Sequence, residues 1–101
     1  MRIKMAELMK IEDAFQPTPG VTAVSGVIPL DFGSTSLEIA KRVGSKVRVH
    51  NARGEESEFH VVDVATSVSF ENKRSLTLGL SAAGDHDICI GSIIILIPKQ
   101  G

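Results

Sequence analysis

An all-β fold, built as a small antiparallel barrel or sandwich, is predicted by three observations on this chain. Apolar and polar residues alternate with period two through several stretches. Clusters of turn-forming residues separate those stretches at short intervals. The run Ile93 to Ile97 is apolar on both faces, as suits a central or barrel-closing strand.

Each element follows in chain order. Met5, Leu8 and Met9 form a weak helical stripe in Lys4–Glu12, yet Leu8–Phe15 reads equally as a first strand, and its second half favours strand. Gln16-Pro17-Thr18-Pro19-Gly20 supplies a turn before the strand-like run that starts at Val21. Thr35-Ser36-Leu37-Glu38 has capping-box spacing, with Leu37 and Ala40 apolar and Gly44 available as a C-terminal cap. Pro29–Arg42 therefore reads either as a helical insertion or as a loop. Lys46-Val47-Arg48-Val49-His50 alternates cleanly, and Asn51-Ala52-Arg53-Gly54 turns it into a hairpin. Val64, Thr66, Val68 and Phe70 share one side of the next strand, and a slip in the alternation at Val61-Val62 predicts a bulge. Glu71-Asn72-Lys73-Arg74 turns the chain again, and Leu76, Leu78 and Leu80 repeat the pattern before a turn at Ala83-Gly84-Asp85. By the same parity Val47, Val49, Val68, Leu76, Leu78, Leu80, Ile88 and Ile95 are the expected core.

Composition excludes several classes. A chain of 101 residues, 43% apolar and 23% charged, is long enough for one domain with one core, taken as residues 1–101. Its net charge of −1 supplies no global field toward nucleic acid or an anionic membrane. Cys89 is the single cysteine, so neither a disulfide framework nor a cysteine-rich zinc site is available. No apolar run approaches the ~20 residues of a membrane helix, and none follows Met-Arg-Ile-Lys as a secretory signal would. A cytoplasmic location without membrane contact is the expectation.

The chemistry-bearing residues form no catalytic set. Gly44-Ser45-Lys46-Val47 lacks the upstream glycine and the hydroxyl residue of a phosphate loop. Asn72-Lys73-Arg74-Ser75 has no aspartate where a guanine-reading element carries one. His50, His60 and His86 share no ligand spacing, and His86 between Asp85 and Asp87 reads as a solvated turn. Cys89 between Ile88 and Ile90 reads as a small buried or half-buried thiol. No enzyme activity, cofactor or metal is expected.

Charge is nonetheless unevenly placed. Lys41, Arg42, Lys46, Arg48 and Arg53 fall in a stretch without an acid, and Glu55, Glu56 and Glu58 follow at once. One reading is a salt-bridged exposed face, with Arg48 opposite Glu55 or Glu56 across the hairpin. The other is a basic edge that meets RNA phosphates. Four phenylalanines and no tyrosine or tryptophan leave little for base stacking.

The order of segments resembles the second, β-barrel domain of elongation factor Tu and related translational GTPases. Leu8-Met9-Lys10-Ile11-Glu12-Asp13-Ala14-Phe15, a turn, and Gly20-Val21-Thr22-Ala23-Val24-Ser25-Gly26-Val27-Ile28 look like that domain's opening strands. Val43-Gly44-Ser45-Lys46-Val47-Arg48-Val49 is similar to a later strand. Ser75–Ile94, with Asp87-Ile88 and Gly91, resembles the last hairpin. The resemblance covers about Leu8 to Pro98 and implies a closed six-stranded antiparallel Greek-key barrel. It implies no GTP hydrolysis by this chain. Two departures stand out: Pro29–Arg42 is longer than the family's connection, and Ser81-Ala82-Ala83 lacks the basic residue expected near a tRNA end.

The resulting expectation is a non-catalytic binding module that contacts RNA or a ribonucleoprotein. Its candidate contact residues are Lys41, Arg42, Lys46, Arg48 and Arg53, with Asp85, His86 and Asp87 in the last hairpin. The alternative is a protein–protein adaptor that uses a barrel edge and has no nucleic-acid role. Oligomeric state stays open.

Overall fold

A computed structural model describes residues 7–33, 35–68, 71–82 and 88–97. Its strands are β1 (Glu7–Lys10), β2 (Asp13–Thr18), β3 (Val21–Ile28), β4 (Lys46–His50), β5 (Glu56–Val68), β6 (Arg74–Ala82) and β7 (Ile93–Leu96). A 3-10 turn at Leu30–Phe32 and helix α1 (Ser36–Val43) lie between β3 and β4. All pairings are antiparallel, in the order β1-β7-β4-β5-β6-β3-β2. β4, β5 and β6 follow one another as a meander and β7 returns to lie beside β4, which is a Greek-key arrangement.

The all-β expectation holds, but the closed six-stranded barrel gives way to a curled half-barrel of seven strands. The reason lies at Ile11-Glu12. The Ile11 N–H donates to the Ser92 carbonyl on the β7 side, whereas the Glu12 N–H donates to the Ser25 carbonyl of β3. One run of chain thus changes partner at this point and is counted as two strands at opposite ends of the order. Gly26 permits the crossing: a Cβ there would collide with the Lys10 carbonyl oxygen and touch the Met9 side chain, its Sδ at 3.0 Å.

Alternation predicts most of the core. Val47, Val49, Leu76, Leu78 and Leu80 are buried together with Val24, Ile28, Phe59 and Ile94. Three expected core residues, Val68, Ile95 and Ile88, are not fully buried. Val68 is 54% exposed, because it ends β5 beside Arg74, at the rim of the sheet, rather than over the core. In β7 the inward residue is Ile94, paired with the buried Val49 and Met9; Ile95 is set opposite Arg48 on the outer face and is only half-buried. Ile88 packs against the core while partly exposed. The bulge appears where expected: Val61 pairs with Leu80 and Asp63 with Gly79, which leaves Val62 as the extra residue.

The helical reading of the insertion is correct. Thr35 caps α1 by accepting the Glu38 N–H on its Oγ1 at 3.1 Å. The buried stripe, however, is Ile39 and Val43, one helical turn apart, and Leu37 points away at 67% exposure. Among the described residues no helix is long and apolar enough to cross a membrane.

Candidate binding surface

The five cations are distributed by two local devices, the end of α1 and the β4–β5 hairpin. α1 stops at Gly44, whose φ of +81° is the left-handed conformation that glycine adopts without strain. The Gly44 N–H closes the last turn on the Ala40 carbonyl, and Ser45 then gives its carbonyl to the Val61 N–H. This sharp exit brings Arg42, from the last helical turn, beside Lys46 at the start of β4, with Lys41 next to Arg42 in sequence. Arg42, Val43, Gly44, Ser45, Lys46, Glu58 and Ile97 line a hollow of about 320 Å³ at the corner.

The cations differ in how far they are already engaged. Arg42 donates from Nη1 to the Phe32 carbonyl at 2.7 Å, and its guanidinium lies 5.3 Å from the Phe32 ring centroid. That pairing ties the 3-10 turn to α1, and a solvent-exposed cation over an aromatic ring contributes about 0.5–1 kcal/mol. Lys41 and Lys46 are exposed, and neither forms an ion pair with a described residue. Arg48 sits opposite Glu58 in the ladder and is held by two acids: Nη2 lies 3.2 Å from Glu58 Oε1, and Nη1 lies 3.7 Å from Glu56 Oε2. Its Nε also donates to Glu58 Oε1 at 3.3 Å. The cross-strand partners are therefore Glu58 and Glu56, and Glu55 instead meets Arg53 at 3.4 Å at the hairpin tip. His50 Nδ1 stands 3.2 Å from Glu56 Oε1 and completes the outward row.

The turn that carries Arg53 is organised by Asn51. Its Oδ1 accepts the N–H groups of Arg53 and Glu55 at 3.0 and 2.9 Å, which fixes the tip without using either charge. Asp85, His86 and Asp87 lie outside the described residues. The structure therefore gathers Arg42 and Lys46 at one hollow beside Lys41, and it sets Arg48 and Arg53 into ion pairs along the hairpin.

Sequence reasoning missed Ser45 and Glu58 as lining residues of the corner, since both depend on how sharply α1 turns into β4. It also missed the exposed pair Leu37 and Val62, which with Ala40, Val61 and Val64 line a second, shallow groove beside α1. The predicted bulge was the available signal for Val62, because the extra residue of a bulge leaves the ladder. Cys89, expected to be at least half-buried, is exposed on the turn before β7, where its carbonyl accepts the Ser92 N–H. Among the described residues no three His, Cys, Asp or Glu side chains are grouped as a metal site.

No model of a known protein family, no curated protein and no solved structure matches this chain.

Proposed function

We propose that this chain is a non-catalytic binding module, built like the second domain of elongation factor Tu and its relatives, that contacts RNA or a ribonucleoprotein through the α1–β4 corner. The Greek-key order and a first strand that passes from β7 to β3 support the architectural half of this reading. In it, the half-barrel is a variant of that domain whose first strand is broken at Ile11-Glu12. The observation that carries the binding half is the pair Lys41 and Lys46, exposed and free of acidic partners among the described residues, on either side of Gly44. Phosphate contacts by such lysines release counterions and make affinity fall with salt. Arg48 contributes less, because RNA must compete with Glu56 and Glu58 for its guanidinium.

The test is fluorescence anisotropy of a labelled single-stranded RNA against the full chain over a range of salt. Replacing Lys41 and Lys46 by Glu is expected to weaken binding alike for all sequences and to flatten the salt slope by about one per lost phosphate contact. Binding unchanged in that variant, or no binding by the parent even at low salt, removes the RNA reading. The adaptor reading then takes its place. One observation favours that alternative: Leu37 and Val62, both more than half exposed, stand together on the groove beside α1.

A further inference from the structure

The inner face of β6 carries Leu76, Leu78 and Leu80, all fully buried. Counting back with the same parity reaches Arg74, which pairs with Ile28 of β3 and Val68 of β5. A permanently charged guanidinium thus stands on the apolar side of the sheet, at the rim of the half-barrel. Among the described residues it has no ion-pair partner. Among the described residues its side chain makes one hydrogen bond, a long one, from Nη1 to Thr66 Oγ1 at 3.4 Å. Thr66 is oriented to accept it, because its own proton goes to the Ser75 carbonyl at 3.0 Å. Arg74 Nε is buried and has no acceptor at all.

This is an expensive arrangement. A guanidinium has five N–H donors, and a buried N–H without an acceptor, as Nε is here, destabilises the state that contains it. A rim position needing only solubility is served by lysine, whose ammonium is free to reach water. Arginine instead presents a planar fork that matches two oxygens of a carboxylate or phosphate. We propose that Arg74, steadied by Thr66, is an oxyanion-binding residue at the mouth of the half-barrel. Its ligand is a small organic anion whose oxygens take the outer edge of the guanidinium and whose apolar part lies on Val68 at the rim. This site is separate from the α1–β4 corner and does not depend on the RNA reading.

The test uses the full chain labelled with 15N, with the arginine Nε–H signals followed during titration with inorganic phosphate, acetate or butyrate against sodium chloride at equal ionic strength. One arginine signal should shift saturably, and that signal should be missing in Arg74→Leu. The same Arg74→Leu variant should keep the backbone amide spectrum and melt no lower than the parent, since it removes an unsatisfied buried group. It should also lose the anion-dependent rise in Tm. Arg74→Lys keeps the charge without the fork and should bind at least ~10-fold more weakly, a comparison that stands even if Arg74→Leu does not fold. The relative affinities of phosphate and acetate identify the head group, and butyrate binding more tightly than acetate supports the apolar contact at Val68. No response beyond chloride, or an equal anion-dependent rise in Tm in the parent and in Arg74→Leu, overturns the proposal. Equal affinity in Arg74→Lys overturns the role of the fork, and butyrate no tighter than acetate overturns the role of Val68.

Discussion

The inner row of β6 and the outer row of the β4–β5 hairpin obey the same two-residue alternation, yet different forces hold them. Leu76, Leu78 and Leu80 are excluded from water and touch both neighbouring strands. Arg48, His50, Glu56 and Glu58 are matched across the ladder just as regularly, with every charge at the solvent boundary. Apolar burial is worth roughly 25 cal/mol per Å² removed from water. Exposed ion pairs are worth about 0–1 kcal/mol each, since water and salt screen them and ordering two long side chains costs entropy. The lesson is a division of labour. The leucine row fixes the fold, and the charged row is able to change its partners without unfolding anything.

Measurements of stability can break this contrast, and the largest effect belongs to the inner row. Leu78→Ala should lower the free energy of unfolding by about 2–5 kcal/mol, the range for a buried leucine that leaves a cavity. Urea denaturation reads it directly, and a loss under ~0.5 kcal/mol would show that the row is not the core that Leu alternation implies. Gly26→Ala tests the crossing of β1 over β3. The new methyl meets the Lys10 carbonyl oxygen, so β1 must shift, and the expected loss is about 1–3 kcal/mol. Smallest is the outer row: a double-mutant cycle on Arg48 and Glu58 should return a coupling of about 0–1 kcal/mol that shrinks as salt is added. A coupling of several kcal/mol, insensitive to salt, would erase the distinction between the two faces.

Legibility in the sequence tracks how strongly the alternation contrasts polar with apolar. β4 and β6 were readable because each inward residue is flanked by polar or small ones. The bulge at Val62 was readable because the pattern itself slips there. β7 was not: with Ile93, Ile94 and Ile95 in succession nothing local chooses a face, and the pairing of Ile94 with Val49 decides it. α1 shows the same limit in helical form. Leu37 and Ile39 are both apolar, and the capping residues fix where the helix starts but not which side meets β5. Val68 failed for another reason, since alternation carries no information about where the core stops.

The candidate surface was legible as a run of cations but not as an arrangement. Sequence spacing placed Lys46 and Arg48 as equals on one face. The ladder register then assigned two glutamates to Arg48 and none to Lys46. Arg74 was passed over because it falls in a turn-like cluster, although the leucine parity continues straight back to it.

The change of partner at Ile11-Glu12 has a consequence for how the molecule comes to be made. β1 leaves a ribosome before its ladder partner β7, with β2 to β6 and α1 all lying between them in the chain. The hairpins β4–β5 and β5–β6 can zip as soon as they emerge. Until Ile93–Leu96 arrives, however, one edge of β4 lacks its neighbour and β1 lacks its ladder partner. Contacts so distant along the chain are slow to form, and the unpaired edges they leave in the meantime are open to other molecules. The nascent half-barrel therefore passes through an interval with exposed strand edges, and that interval closes only when β7 is delivered.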